Sequence, residues 1–558
     1  MSLPLRSLLM QASLYQAARF EKNTHYSRQA QTSTLQEILK YSAPSVIGRA
    51  LGLRLGMDVD AFRRQIPLHT YDGFSPFADR IAHGEKGITS NQHVLCLASS
   101  SGTTGKRKMI PITRKSHAVR QKARLAAAGY LVRALRNKAL SHGRLMVTSS
   151  AAMMGETEGG VPFGYTSACS HSLNRSKYSA RVVTPYPFDV MAIPNVRQRH
   201  IMSFLFAIRD PELRFISGSF PPFLLQIAGQ LSEETPLLIS MLRKGGVPDG
   251  IDLDGPTRKR LNRMLPADPN RADFLERILE TKQTLKPLDI WPGLSALCTS
   301  SGVASDPYLP RIAKAFGPLP IFGGLYSSTE AIFGIHTDLD DGSATLAVNT
   351  GFFEFIPKCQ WHASNPETVL AHEVVVGEEY RIVTTNFHGL MRYDIGDIVR
   401  ITGWHNSAPR LTFLRRRGGQ LSAVHEMTTE ADIDQALSEV MSLRGITFRD
   451  AGVTLESGGT TQRYLWMLEL EGDTPPINPD ILASDLDNAL GRSNIAYKNR
   501  REDYIPPPRV MLFSPGAIAQ FLGRSTEPTT DDQLKPRRIL YGTPDLITLI
   551  ERGTSTSK

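Results

Sequence analysis

The segment Ser99-Ser100-Ser101-Gly102-Thr103-Thr104-Gly105-Lys106-Arg107-Lys108 limits the fold of this chain more than any other. It directly follows HVLCLAS at 93–99, a short apolar run that reads as a buried strand entering a loop. Glycines let the backbone bend tightly, and successive backbone N–H groups in such a bend cradle phosphate oxygens. The hydroxyls add donors and the lysines add charge. The segment is not a Walker A loop, which needs four residues between its glycines and Ser or Thr after its lysine. Here two residues separate Gly102 from Gly105, and Arg107 follows Lys106. By composition alone, a Ser/Gly surface loop with a solvated basic end stays open as the alternative.

The flanking pattern places this loop in an α/β chain. Residues 34–55 carry apolar residues at three-to-four spacing and read as an amphipathic helix; residues 115–136 are also helical, and RLMVTSS at 144–150 reads as a strand. Residues 197–285 read as mostly helical, and strands dominate from 294. After Arg415-Arg416-Arg417-Gly418-Gly419 the pattern changes to helix 429–443, strand 464–471, helix 478–490 and strand 508–513. The boundary falls near 420, leaving a compact α+β unit of about 135 residues after a large α/β part with several sheets.

Two further clusters carry chemistry. Tyr326-Ser327-Ser328-Thr329-Glu330 follows an apolar strand and a Gly-Gly turn. An aromatic ring there can lie against a base, hydroxyls can bond phosphate, and a carboxylate can hold magnesium; alone, the cluster equally describes a polar strand end. Arg392-Tyr393-Asp394-Ile395-Gly396-Asp397 ends in an Asp suited to ribose hydroxyls, or to a plain β-turn. Arg415-Arg416-Arg417 is, as a bare charge run, a solvated face or a basic patch.

Composition narrows the classes. The length of 558 residues allows three or four units of about 150 residues, or one large domain with a satellite. Hydrophobic residues at 41% and charged residues at 21% exclude a disordered chain. Cys96, Cys169, Cys298 and Cys359 lie far apart with no CxxC pair, against a zinc ribbon or a secreted disulfide framework and in favour of a reducing, cytoplasmic setting. The N-terminal apolar stretch is broken by Gln11 and Gln16, unlike a signal peptide, and no apolar run reaches spanning length. There is no G-x-S-x-G elbow and no HExxH pair. The net charge of +10 predicts affinity for polyanions.

Taken in order, the boxes resemble a known group. SSGTTGKRK is similar to the phosphate loop of the adenylate-forming superfamily, and YSSTE to its Y-x-S/T-T-E box. Three longer stretches resemble the Gretchen Hagen 3 family, acyl acid amido synthetases that join plant hormone acids to amino acids. They are TYDGFSPFADRIAHGEK at 70–86, the YSSTE box with FFEFIP at 352–357, and GDIVRITGWHNSAPRLTFLRRRGGQLSAVHEMTTE up to Glu430. QLKPRR at 533–538 resembles the family's QYKTPR. The Trp-His-Asn-x-Ala-Pro string at 404–409 is the most specific of these.

The resemblance implies an α/β architecture: residues 1–420 as a large multi-sheet, ATP- and acyl-binding adenylation domain, and 421–558 as a small mobile α+β domain. It implies an ATP-dependent amido synthetase that activates a carboxylic acid as acyl-AMP, releases pyrophosphate and transfers the acyl group to an amine, usually of an amino acid. An acid–CoA ligase shares the first half-reaction, and a non-catalytic nucleotide-binding protein is the third reading. ATP and Mg²⁺ are the implied cofactors, and the partners are small molecules, with neither nucleic acid nor membrane; nothing in the sequence marks an oligomeric state. By motif, Ser100, Ser101, Gly102, Thr103, Thr104, Gly105 and Lys108 cradle phosphate. Tyr326, Ser328 and Thr329 contact adenine and α-phosphate, Glu330 holds magnesium, Asp397 and Arg416 take the ribose, and Lys535 polarises the adenylate. Leu131, Met153, Met154, Phe163 and Leu325 are candidates for the acyl pocket or for plain core, and His405 for a base or a turn residue.

Three departures mark this chain. Its phosphate loop is one residue shorter than the family's SSGTSGGERK, Asp394 stands where the family has arginine, and Ser422-Ala423-Val424 replaces its Ser-Ile-Asp.

Overall fold

Pro44 divides the first expected helix. The structure is a computed structural model describing residues 2–100, 108–136, 143–173, 180–302, 305, 308–361, 363–417, 420–421, 423, 426, 428–458, 461–471, 477–501, 505–521 and 538–540. Instead of one helix over 34–55 there are two, Ser27–Ser42 and Val46–Ala50. Proline removes an N–H and clashes with the preceding turn, so the chain restarts after it. Ser45 caps the restart, its Oγ accepting from the Gly48 N–H at 3.1 Å.

The chain forms two compact units, the first comprising 1–302 and 312–413, the second 303–311 and 414–558. In the first, Val94–Ser100 and Lys108–Thr113 form an antiparallel pair in which Ser100 lies opposite Lys108. Both ends of the phosphate segment are therefore fixed by strand pairing. Ser101, Gly102, Thr103, Thr104 and Gly105 lie outside the described residues. Val94–Ser100 also pairs in parallel with Pro162–Tyr165, which runs straight into helix Thr166–Leu173.

A second sheet is parallel, in the order Arg144–Val147, Leu213–Ser217, Ala296–Cys298, Ile321–Phe322. Leu213–Ser217 interrupts the stretch expected to be helical, and helix Leu309–Phe316 interrupts the strand-rich part. A short apolar run such as LRFIS has no periodicity that separates a buried strand from a helix turn. The third sheet has eight strands, from Val369–Leu370 at one edge to Leu325–Ser327 at the other. Gly351–Pro357, Glu379–Asn386, Tyr393–His405 and Ala408–Arg416 follow one another inside it. Its apolar face supplies Phe333, Phe353, Phe355, Ile382 and Val399 to the main core, each at most 1% exposed.

Helix Arg114–Arg136 closes on this core with Ala123, Ala126, Ala127, Tyr130 and Leu135. Its small residues admit helix Ser2–His25 at close range: a Cβ on Gly129 would sit 2.2 Å from the Ser13 carbonyl oxygen. Phe20 meets Tyr130 edge to face at 6.1 Å.

In the second unit, Phe448–Gly458, Thr461–Leu470 and Arg509–Phe513 form a sheet packed against helices Glu430–Arg444 and Pro479–Ser493. A capping box starts the first helix, with the Thr429 N–H donating to Asp432 Oδ2 at 2.8 Å, and Gly445 at φ 61° ends it. Arg538 is buried there on Asp434, at 2.6 Å. Among the described residues, no helix is long and apolar enough to cross a membrane.

Candidate active site

Strand pairing brings Lys108 to the base of the phosphate segment, and its ammonium meets three groups. It stands 3.7 Å from Glu330 Oε1, donates to the Tyr393 hydroxyl at 3.3 Å, and lies 5.5 Å over the Tyr71 ring. Glu330 is 3% exposed. A carboxylate so enclosed needs a cation, and Lys108 supplies it. Tyr71, at the start of helix Tyr71–Ala82, accepts from the Met109 N–H at 2.6 Å, and burial pushes its phenol up.

The loop after strand Leu325–Ser327 is held from inside. Ser328 Oγ accepts from the N–H groups of Glu330 and Ala331 at 3.1 and 3.3 Å, so this hydroxyl shapes the turn. Arg120 donates to the carbonyls of Ser328 and Thr329 at 3.3 and 3.1 Å. Asn386 donates to the Glu330 carbonyl at 3.0 Å. Thr166 Oγ1 lies 2.9 Å from Thr329 Oγ1. Three successive carbonyls and both hydroxyls of the Ser-Thr pair are thus fixed before any ligand arrives. Burial, then the neighbouring Arg124 charge, pushes the Arg120 guanidinium down to about 10.

Tyr326 and Asp397 come together across the same sheet. The Tyr326 hydroxyl donates to Asp397 Oδ2 at 3.0 Å, and its ring stacks on Phe333 at 5.0 Å and 30°. Gly396, at φ 82°, permits the bend before Asp397, and the Asp394 carboxylate accepts from its N–H at 2.9 Å. Asp394 also lies 2.8 Å from Arg381 Nε, a close ion pair in the strand interior. Arg392 instead grips Glu354 with two bonds of 2.9 Å and the carbonyls of Arg63 and Ile66 at 2.8 and 2.6 Å. The acid at 394 therefore has a buried basic partner of its own.

The structure thus gathers Lys108, Thr329 and Glu330 on one side and Tyr326 with Asp397 on another, all in the first unit. Arg416 ends strand Ala408–Arg416 in the second unit. Lys535 lies outside the described residues. His405 has structural partners: its Nε2 is 3.0 Å from Glu21 Oε1, and Asn406, at φ 55°, donates to Glu21 and Thr24 at 2.9 and 2.8 Å. Leu131 belongs to the core, Met153, Phe163 and Leu325 are half-buried, and Met154 is exposed. Sequence reasoning missed Arg120, Thr166, Asn386 and Tyr71. Arginines among the small residues of helix 114–136 were the one available signal.

The donor set suits magnesium by its chemistry. Among the described residues no three His, Cys, Asp or Glu side chains cluster as a metal cage. One buried carboxylate is the sparse protein contribution that Mg²⁺ takes, the rest of its ligands being phosphate oxygens and water.

The fold is that of the adenylate-forming enzymes. Within that class the chain belongs to the GH3 (Gretchen Hagen 3) family: residues 16–321 match the GH3 family N-terminal domain, 344–416 its central domain and 431–542 its C-terminal domain. The chain is similar to the indole-3-acetic acid-amido synthetase GH3.3 of Arabidopsis thaliana, 26% identical over 97% of this chain and 94% of that one. It is likewise 26% identical to the jasmonoyl–L-amino acid synthetase JAR4 of Nicotiana attenuata, over 81% of each. The solved structure of a GH3.15 acyl acid amido synthetase superposes with a TM-score of 0.82 at 22% identity, covering 96% of this chain and 95% of that one. A 2-hydroxyisobutyryl-CoA ligase in its post-adenylation state follows the same fold more distantly, at 0.56 and 14%, over 94% and 92%. By family the chain is an acid–amino acid ligase, and that class uses ATP.

Proposed function

We propose that this chain converts a carboxylic acid and ATP into an acyl-adenylate and pyrophosphate, then transfers the acyl group to an amino acid, forming an amide and AMP. The observation that carries this reading is Lys108 beside Glu330, at 3.7 Å, in the same unit as the Tyr326–Asp397 pair. A carboxylate is a poor electrophile because its oxygen leaves badly; adenylation replaces that oxygen with AMP. Attack on the α-phosphate develops charge, and preorganised donors stabilise it without reorganising.

Each residue has a part in this reading. Tyr326 stacks on adenine with Phe333 behind it, and Asp397 accepts the ribose hydroxyls. Thr329 and Lys108 bind the α-phosphate oxygens, with Ser100 to Gly105 on the remaining phosphates. Glu330 would hold Mg²⁺, which supplies Lewis-acid charge stabilisation on phosphate. Arg416 adds a ribose contact and Lys535 binds the adenylate. The substrates are a small acid and an amino acid. Cys96, Cys169, Cys298 and Cys359 are all unpaired, which favours a reducing cytoplasm.

The test incubates the chain with a panel of acids, ATP and Mg²⁺, adding either amino acids or CoA. Acid-dependent ATP–pyrophosphate exchange and an amide product are expected, with exchange lost on chelation and restored by Mg²⁺. A thioester with CoA and no amide with any amino acid would overturn the amide assignment.

A further inference from the structure

One helical turn beyond the adenylation loop, the same two helices build a second polar cluster. Arg120 and Thr166 reach Thr329 from helices Arg114–Arg136 and Thr166–Leu173. Four residues on along each helix, Arg124 Nη1 donates to Ser170 Oγ at 2.7 Å. A four-residue step advances about 6 Å along a helix and returns to the same face. Beside Ser170, the His171 Nε2 lies 3.0 Å from Ser149 Oγ.

The charge of this cluster is unbalanced. Among the described residues, Ser170 is the hydrogen-bond partner of Arg124, and no carboxylate pairs with it. Its guanidinium is half-buried, and burial pushes it down from the usual arginine range. Burial and then the Arg124 charge push His171 down to about 3, so the imidazole is neutral and brings no counter-charge of its own sign or the other. A second guanidinium, that of Arg120, stands one turn away with its donors on backbone carbonyls. A desolvated arginine with unused donors binds a carboxylate by paired, charge-assisted bonds. An apolar acid would leave the same cation facing its tail.

The geometry points to an acyl substrate bearing a second carboxylate, held by Arg124 and Ser170 while Thr329 and Lys108 face the carboxyl being activated. The substrate class is a dicarboxylic acid with its two carboxyls about one helical turn apart. The neutral His171, fixed against Ser149, contributes a polar wall. This inference rests on the adenylation reading and names the acid for it.

The test compares matched acids in ATP–pyrophosphate exchange with the full chain: isophthalate against benzoate, and adipate against hexanoate. At least a tenfold higher kcat/KM is expected for the diacid of one pair, the discrimination typical of a charge-assisted pair. Arg124→Leu is expected to bring that ratio to about one or below, with Ser170→Ala between. A wild-type preference for the monoacid in both pairs, or an unchanged ratio in Arg124→Leu, overturns the inference. The wild-type ratio decides even where Arg124→Leu does not fold. Exchange with monoacids but not diacids overturns the inference alone; no exchange with any acid overturns the adenylation reading beneath it.

Discussion

Glu330 is the residue on which the proposed chemistry turns. It is buried, its backbone is fixed by Ser328 and Asn386, and its side chain faces Lys108. In Glu330→Ala the ATP–pyrophosphate exchange is expected to fall at least about a hundredfold, the scale of losing one preorganised electrostatic group. Circular dichroism and the melting curve should still report a folded chain, since the backbone bonds that hold the loop remain. Near-normal exchange in a folded Glu330→Ala would remove Glu330 from the mechanism. Lys108, Tyr326, Glu330 and Asp397 could be proposed from the sequence because each sits in a contiguous string of residue types that chemistry explains. Arg120 could not, because its partners Ser328 and Thr329 lie more than two hundred positions away. No local pattern announces that a helix arginine ends on two distant carbonyls.

Among elements, the strands around Glu354 and Arg392 enclose a buried ion pair. Glu354 is 1% and Arg392 7% exposed, joined by two bonds, with Thr368 Oγ1 donating to Glu354 Oε1 at 2.6 Å. Arg392→Met removes both short bonds to Glu354 and leaves it the more distant Arg63 guanidinium at 3.4 Å, and a loss of up to about 3–5 kcal/mol is expected in denaturant unfolding. The double variant Arg392→Met with Glu354→Leu should recover much of that loss, and an Arg392→Met chain as stable as wild type would show that Arg63 alone balances Glu354. Helices expected at 115–136, 429–443 and 478–490 were readable from their spacing and are found at Arg114–Arg136, Glu430–Arg444 and Pro479–Ser493. Strand Phe448–Gly458 escaped notice because Arg449, Asp450 and Gly452 blur its alternation. It is a strand because Thr461–Leu470 pairs along it from Phe448 to Gly458. Pairing across a sheet overrides weak local preference.

For the whole molecule, buried histidines set the response to acid. His388 donates from Nδ1 to the Pro111 carbonyl at 2.8 Å, and burial, then Arg120, pushes it down to about 3. Burial also pushes His200 and His336 down to about 4, despite the hydrogen bonds that oppose it. Each imidazole is neutral when folded but takes a proton near pH 6.5 when unfolded. Stability is therefore full above that value and falls as pH drops towards the folded values, by about 2 kcal/mol per histidine between pH 6.5 and 5. The melting midpoint should decline over that window, and His388→Asn should flatten the slope. A flat wild-type profile would mean that these rings protonate inside the fold. A change of pattern after Gly419 was visible in the sequence and put the expected boundary near 420. The assignment of 303–311 to the second unit was not, because it depends on where distant segments pack.

The Trp-His-Asn string that best marks the family has a further meaning once its contacts are seen. His405 and Asn406 hold Glu21, and Ser407 donates to the Thr24 carbonyl at 2.8 Å, so the string is a clasp on helix Ser2–His25. The contacts described for it serve assembly. A descendant that had abandoned its reaction would still carry these letters for as long as it kept that helix. On the proposed chemistry, a diagnostic for working enzymes in this lineage would be written around Lys108 and Glu330 instead.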